Sequence, residues 1–270
     1  MNHKILFVDL DATLLSDDKS VSQRNREAIK RMLKEGHYIA LATGRSVESG
    51  RGVARELDLV VPGCYMIAFN GAVLYDCAAD RILMQRSIPI EVVQELFERA
   101  KRAGLYAQTY NKTDVITTRH SKELDYYIGK ASITYKLSEN VLDALEEEPQ
   151  KVLLIALERK ERLARFQKNN MKWEQGKCSS FFSSREYLEY CPWGTSKATG
   201  VVELAKILNM PADCTIAIGD EQNDIPMIRE AHVGVAVKNG IQELKAAADY
   251  VTENDNNHDA VAEVIEKFIL

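Results

Sequence analysis

The sequence predicts an α/β protein, an open parallel sheet into which an α+β domain has been inserted. Short apolar runs alternate with amphipathic stretches over about the first seventy residues, and the same rhythm returns after residue 191. Between them the texture changes. A third observation is that acids and glycines collect where the apolar runs stop, the edge at which open α/β sheets bind ligands.

The first run, Lys4-Ile5-Leu6-Phe7-Val8, is short, β-branched and aromatic, with no polar alternation, as expected of a strand buried on both faces. Ser22 to Glu35 carries Ala28, Ile29, Met32 and Leu33 at helical spacing, and Gly36 stops it. A strand at Tyr38 to Ala42, a helix at Val47 to Leu57 and an apolar run at Tyr65 to Phe69 complete three β-α units. From Ile82 to Tyr190, helices at Val92 to Ala103 and Glu161 to Asn170 alternate with strands at Leu105 to Tyr110, Val115 to Thr118 and Val152 to Leu157. The opening rhythm resumes with a helix at Thr195 to Leu208, a strand at Thr215 to Ile218, a helix at Asp224 to Glu230 and a strand at Val233 to Val237. The expected domains are therefore 1–81 with 191–270 for the sheet and 82–190 for the insert, with Pro89 and Pro192 near the junctions. No repeat is visible, and Glu146-Glu147-Glu148-Pro149 reads as a solvated turn.

With 46% hydrophobic and 28% charged residues among 270, the chain has the composition of a globular protein. A formal net charge of −5 leaves no footprint for nucleic acid, and no stretch approaches the roughly eighteen apolar residues of a membrane span. Neither nucleic acid nor membrane is an expected partner. Five cysteines without a Cys-x-x-Cys pair argue against a disulfide framework, and the first residues lack a basic-then-apolar leader. A reducing cytoplasm is the expected compartment. The five histidines form no ligand pattern, and Trp173 and Trp193 read as packing groups.

Asp9 and Asp11 follow the first strand, and residues two apart on an extended chain point to one side. Two carboxylates in one pocket repel unless a cation or a shared proton offsets them, and hard oxygen donors without a Cys/His cluster select Mg²⁺ over zinc. Asp-x-Asp alone is weak, so matching strand ends are required. The second strand delivers Thr43-Gly44-Arg45, either an anion cradle of hydroxyl and backbone N–H groups or a plain turn with Thr43 as a helix cap. Asn70-Gly71 reads as a turn, with Asn70 a bystander contact. The strand Thr215 to Ile218 ends in Gly219-Asp220-Glu221-Gln222-Asn223-Asp224. There Asp220 is the candidate metal carboxylate, Asn223 can donate to a phosphate oxygen, and Asp224 either caps a helix, holds a metal-bound water or orients a lysine. Lys197 opens a helix, where a cation opposes the dipole; an anionic substrate accounts for it, as does simple solvation.

Asp9-Leu10-Asp11-Ala12-Thr13, Thr43-Gly44-Arg45, Lys197 and Gly219-Asp220 to Asp224, in this order, resemble the haloacid dehalogenase (HAD) superfamily of aspartyl-phosphate-forming hydrolases. The resemblance covers almost the whole chain. The insert, with the tail Gly234-Val235-Ala236-Val237 and Ala248-Asp249-Tyr250-Val251-Thr252, looks like the Cof-type branch, which implies a Rossmann-like core and an inserted α+β cap of C2B type. The resemblance implies Asp9 as nucleophile and Asp11 as general acid, then base. It implies Mg²⁺ on Asp9, the main-chain carbonyl of Asp11 and Asp220, with Asp224 in the outer shell. Phosphate oxygens are held in such enzymes by the groups matching Leu10 N–H, Thr43, Gly44 N–H, Lys197 and Asn223. Ala12 and Ala198 depart from the usual glycines, and neither change removes a reactive group.

The expected activity is Mg²⁺-dependent hydrolysis of a small phosphorylated metabolite, with sugar phosphates the class implied by resemblance, in a monomer or weak dimer. Metal and lysine favour an ionised Asp9, whereas Asp11 is expected to hold a proton for the leaving oxygen. A phosphosugar mutase would use the same intermediate. A metal-dependent glycosyltransferase would explain Asp-x-Asp but not Asp220 or Lys197. Specificity is expected to lie in the insert, with Tyr110, Arg119, His120, Arg185 and Glu189 as candidate contacts.

Overall fold

A computed structural model describes residues 3–131 and 133–270. In chain order the strands and helices are β1 (Ile5–Asp9), α1 (Gln23–Lys34), β2 (Tyr38–Ala42), α2 (Val47–Glu56), β3 (Cys64–Ala68), β4 (Val73–Asp76), β5 (Arg81–Gln85) and α3 (Ile90–Arg102). The insert continues with β6 (Tyr106–Tyr110), β7 (Asp114–Thr117), α4 (Lys122–Ala131), β8 (Thr134–Leu137), β9 (Val152–Ile155), α5 (Glu161–Glu174), β10 (Cys178–Ser184) and β11 (Tyr187–Pro192). Then follow α6 (Lys197–Ile207), β12 (Thr215–Gly219), α7 (Ile225–Glu230), β13 (Val233–Ala236), α8 (Gln242–Lys245), β14 (Tyr250–Val251) and α9 (Ala260–Phe268).

Two compact units result: one runs to Gln85 and resumes at Thr195, and the other is Arg86–Gly194. These changeovers fall just beyond residues 82 and 190, because β5 pairs with β4 and β11 pairs with β9. The first unit holds an eight-stranded sheet in the order β14-β13-β12-β1-β2-β3-β4-β5. It is parallel from β14 to β3 and antiparallel through β4 and β5. The third of the expected β-α units is thus a strand followed by a hairpin, turned by Phe69–Gly71 rather than by a helix. β1, β2 and β12 are buried along almost their whole length, which explains their unbroken apolar runs. Ile29 and Met32 of α1 and Val261 and Ile265 of α9 pack on one face, and Val201 and Leu204 of α6 with Met227 and Ile228 of α7 cover the other.

The sequence order places β2 and β3 on one side of β1 and β12, β13 and β14 on the other, so β1 stands at the topological switch point. Its carboxyl end, Asp9, lies beside Ala42 of β2. Val8 pairs with Ile218, which brings Gly219 and Asp220 alongside from β12.

The insert carries a six-stranded sheet in the order β10-β11-β9-β6-β7-β8. Leu96 and Ala100 of α3 and Leu163 and Phe166 of α5 pack on one face, and Leu124 of α4 joins Tyr106, Tyr110 and Leu153 in a separate cluster. All five cysteines are buried, and none is in a disulfide. No described helix is long and apolar enough to cross a membrane. Trp193 is exposed, contrary to its expected packing role, whereas Trp173 packs beneath Arg99.

Candidate active site

Asp9, Lys197, Asp220 and Asp224 converge in a buried cluster at the strand ends. Lys197 is the first residue of α6, whose start is fixed by a capping box between Ser196 and Thr199. Its ammonium donates to Asp9 Oδ1 and, at 2.5 Å, to Asp224 Oδ1. The other oxygen of Asp224 accepts the Asp220 and Glu221 amides, each at 3.0 Å. A Cβ on Gly219 would lie 2.5 Å from the Asp224 carboxyl carbon, so only glycine ends β12 without displacing that side chain. Asp220 Oδ1 accepts the Thr13 hydroxyl at 2.8 Å.

One oxygen each from Asp9, Asp220 and Asp224 lies within 4.8 Å of the other two. Three carboxylates against one ammonium leave a formal charge of −2 in a buried site. Burial raises the Asp9 carboxyl well above its ordinary value, against the pull of Lys197 and with Asp224 and Asp220 adding to it. Burial, followed by repulsion from Asp224, pushes Asp220 up to about 7. Burial alone would depress Lys197, but Asp224 and Asp9 outweigh it and hold the ammonium charged. The cluster is short of positive charge, and its donors are hard oxygens, so it fits a divalent cation such as Mg²⁺. Both Asp224 oxygens are engaged by Lys197 and two amides, so of the three acids Asp9 and Asp220 are the less occupied and could hold an ion.

Asp11 behaves differently from its neighbour. Strand β1 stops at Asp9, so the extended-chain rule that puts alternate residues on one side no longer holds at position 11. Its carboxylate instead takes a two-pronged contact from Arg45, at 2.9 and 2.6 Å, and one from Lys19 at 2.9 Å. Burial would raise this carboxyl, but the Arg45 and Lys19 contacts bring it down to about 2. Asp11 is therefore an ion-paired carboxylate here, not the protonated acid expected from the sequence. Ala12, at φ 60°, holds a left-handed conformation that costs an alanine about 1 kcal/mol, and its carbonyl accepts from Asn239 at 2.8 Å. The loop is closed by Leu14 N–H on Asp9 O at 3.2 Å and Leu15 N–H on Leu10 O at 2.8 Å.

At the end of β2, buried Thr43 accepts the Arg45 N–H on its hydroxyl at 3.1 Å, a turn that encloses Gly44. The Thr43 carbonyl takes the Asn70 N–H at 3.0 Å. Asn70, fully buried at φ 53°, accepts from the Asn223 side-chain amide at 3.0 Å. Asn70-Gly71 does form the hairpin turn, and Asn70 also orients Asn223. The sequence reading missed this role, as it missed Thr13, Asn239 and the pairing of Arg45 with Asp11. Thr13 and Arg45 lay inside motifs already singled out, while nothing local marks Asn239.

In the insert, Tyr110 is buried and its hydroxyl bonds Gln108 and Tyr127. Glu189 pairs with buried Lys151 at 3.4 Å and accepts from Ser183 at 2.6 Å. Arg119 and Arg185 are exposed, and His120 meets Asp125 at 2.9 Å on the surface.

A lysine shared by two buried carboxylates, with a third acid at hand, thus lies at the carboxyl edge of a parallel sheet, where open α/β folds bind their ligands. The chain belongs to the family of haloacid dehalogenase-like hydrolases, which matches residues 6–265. It is 27% identical to a putative phosphatase of Streptococcus pyogenes over 100% of both chains. It is 26% identical to the 5-amino-6-(5-phospho-D-ribitylamino)uracil phosphatase YitU of Bacillus subtilis, across 98% of this chain and 97% of that one. A haloacid dehalogenase-like hydrolase from Bacteroides thetaiotaomicron superposes with a TM-score of 0.88 at 29% identity, covering 99% of this chain and 100% of that one. The protein is a hydrolase of the phosphatase class, with a Rossmann-like core and an inserted α+β cap.

Proposed function

We propose that the protein is a Mg²⁺-dependent phosphatase of small phosphorylated metabolites that works through an aspartyl-phosphate on Asp9. The observation that carries this reading is the buried Lys197 ammonium shared by Asp9 and Asp224, with Asp220 within reach. Asp9, Asp220 and the main-chain carbonyl of Asp11 would hold the ion, which when bound neutralises charge on the phosphoryl oxygens. Asp9 attacks phosphorus while Lys197, Thr43, Asn223 and the N–H groups of Leu10 and Gly44 hold the phosphate oxygens. The bond from Asp9 oxygen to phosphorus forms as the ester bond breaks, and Asp11 supplies the proton to the leaving oxygen. Asp11, ionised again, takes a proton from the water that hydrolyses the acyl phosphate. Release of Asp11 from Arg45 and Lys19 is a required part of the first step, because a carboxyl held at about 2 has no proton to give at neutral pH.

The named phosphatase relatives favour water as the acceptor over a second sugar hydroxyl. YitU is named for a phosphate on a ribityl chain, and we infer a polyol or sugar phosphate as the substrate class here. Five buried cysteines outside any disulfide favour a reducing cytoplasm. Asp9→Asn is expected to abolish Mg²⁺-dependent phosphate release while leaving the circular dichroism spectrum near wild type. Full turnover in that variant would remove Asp9 as the nucleophile, and sugar isomerisation without phosphate release would replace hydrolysis by the mutase reaction.

A further inference from the structure

The insert carries a second group of cations that phosphoryl transfer at Asp9 does not use. A cleft of about 640 Å³ is lined by Arg99 and Arg102 from α3 and by Arg162 and Arg165 from α5, with Asn169 beside them, Phe166 contributing apolar surface, and no acidic residue in the lining. Two of these arginines are fixed. Arg162 donates to the Ala103 and Gly104 carbonyls at 2.6 and 3.0 Å, tying the start of α5 to the end of α3. Arg99 bonds Glu95 at 2.7 Å and Asn170 at 2.9 Å, with its guanidinium 4.5 Å from the Trp173 ring centre. Arg102 and Arg165, in contrast, are exposed and have no hydrogen-bond or ion-pair partner among the described residues.

Ordinary helix chemistry explains only part of this arrangement. Arg99 and Arg102 lie in the last turn of α3, where cations complement the dipole. Arg162 lies in the first turn of α5, where the dipole disfavours a cation, and Arg165 follows one turn further along the same helix. The two carbonyls account for Arg162, and no hydrogen-bond or ion-pair partner among the described residues accounts for Arg165. Guanidinium groups from two helices thus converge without enough counter-charge, and their planar forks match phosphate geometry. The cleft is in the size range of small-molecule sites.

We propose that this cleft binds a small anion containing a chain of two or three phosphoryl groups, with Arg102 and Arg165 as the movable arms and Arg99 and Arg162 as the fixed wall. An inorganic polyphosphate and a nucleoside polyphosphate share this chemistry. The site lies wholly within the insert and binds independently of turnover at Asp9.

The test is calorimetric titration of the full-length protein with inorganic tripolyphosphate, ADP and ATP in low salt, with EDTA present to prevent metal-dependent turnover. The Arg102→Ser/Arg165→Ser protein is expected to lose one binding event or bind at least about tenfold more weakly, a change of one decade in Kd. Its kcat/KM for a small phosphate ester is expected to stay within about twofold of wild type, since neither residue belongs to the catalytic cluster. The Arg→Lys pair, which keeps charge but loses the fork, is expected to bind with intermediate affinity. Tighter binding of ATP than of tripolyphosphate supports a nucleotide ligand, and equal binding supports the phosphate chain alone. Undiminished binding in the serine variant, or no binding to wild type at millimolar ligand, overturns the proposal.

Discussion

At Asp11 two cations hold a carboxylate whose proposed role needs it both with and without a proton. The Arg45 fork, reinforced by Lys19, favours the charged form, which suits the base but not the acid. Arg45→Ala removes the stronger partner, and the Asp11 carboxyl should rise from about 2 toward the ordinary aspartate range. More of the enzyme then carries the proton that an alkyl leaving group requires, whereas a nitrophenolate leaves without one. The ratio of kcat/KM for an alkyl phosphate to that for p-nitrophenyl phosphate at pH 5 is therefore expected to rise about tenfold in Arg45→Ala. Taking the ratio cancels any loss in phosphate binding common to both esters. An unchanged ratio would show that Arg45 does not control the Asp11 proton. Ala12 illustrates a milder constraint at the same scale: it accepts a left-handed backbone where glycine would be unstrained. Ala198, by contrast, lies in the first turn of α6, where alanine is favoured over glycine by about 1 kcal/mol.

Among the elements, the start of α6 depends on the turn between β3 and β4. Gly71 sits at φ +102°, and a Cβ there would lie 2.1 Å from the carbonyl oxygen of Ser196, the N-cap residue directly before Lys197. Gly71→Ala must strain the turn or shift the helix start, so it should cost about 1–3 kcal/mol in denaturant unfolding and lower kcat. Gly52→Ala, inside α2 with nothing within 4 Å of the new Cβ, should instead stabilise by up to about 1 kcal/mol. Equal effects of the two substitutions would remove the contact as the cause. The strands that build the site were legible in the sequence because β1, β2 and β12 are buried along almost all their length and read as continuous apolar runs. Their ends were legible for the same reason. β5 and β8 lie at sheet edges and largely exposed, and β10 is half-buried and serine-rich, so no hydrophobic period marks them. The contacts of Thr13 with Asp220 and of Asn223 with Asn70 join residues 207 and 153 positions apart, and only the strand order brings them together.

The excess of buried negative charge should make the stability of the whole molecule depend on pH and on metal together. An aspartate carboxyl titrates near 4 in an unfolded chain, and Asp220 titrates near 7 in the folded one, so between these values the folded state binds the extra proton. Its contribution is fully present below about pH 4 and is lost as pH rises through about 7. Asp9 is displaced in the same direction. Other groups titrate in or near this window: burial raises Glu174, with the same sign, and lowers His37, with the opposite sign. Asp220→Asn isolates the site from them, because it removes one buried charge and leaves those groups untouched. In EDTA, the wild-type Tm relative to that of Asp220→Asn is expected to fall from pH 5 to pH 8. Mg²⁺ replaces the proton as the neutralising charge, so millimolar Mg²⁺ should raise the wild-type Tm more at pH 8 than at pH 5 and have little effect on Asp220→Asn. A Mg²⁺ increment equal at both pH values, or equal in the two proteins, would place the ion elsewhere. The predicted pattern requires Asp9 and Asp220, brought together from β1 and the end of β12, to act as one site whose negative charge Lys197 offsets only in part.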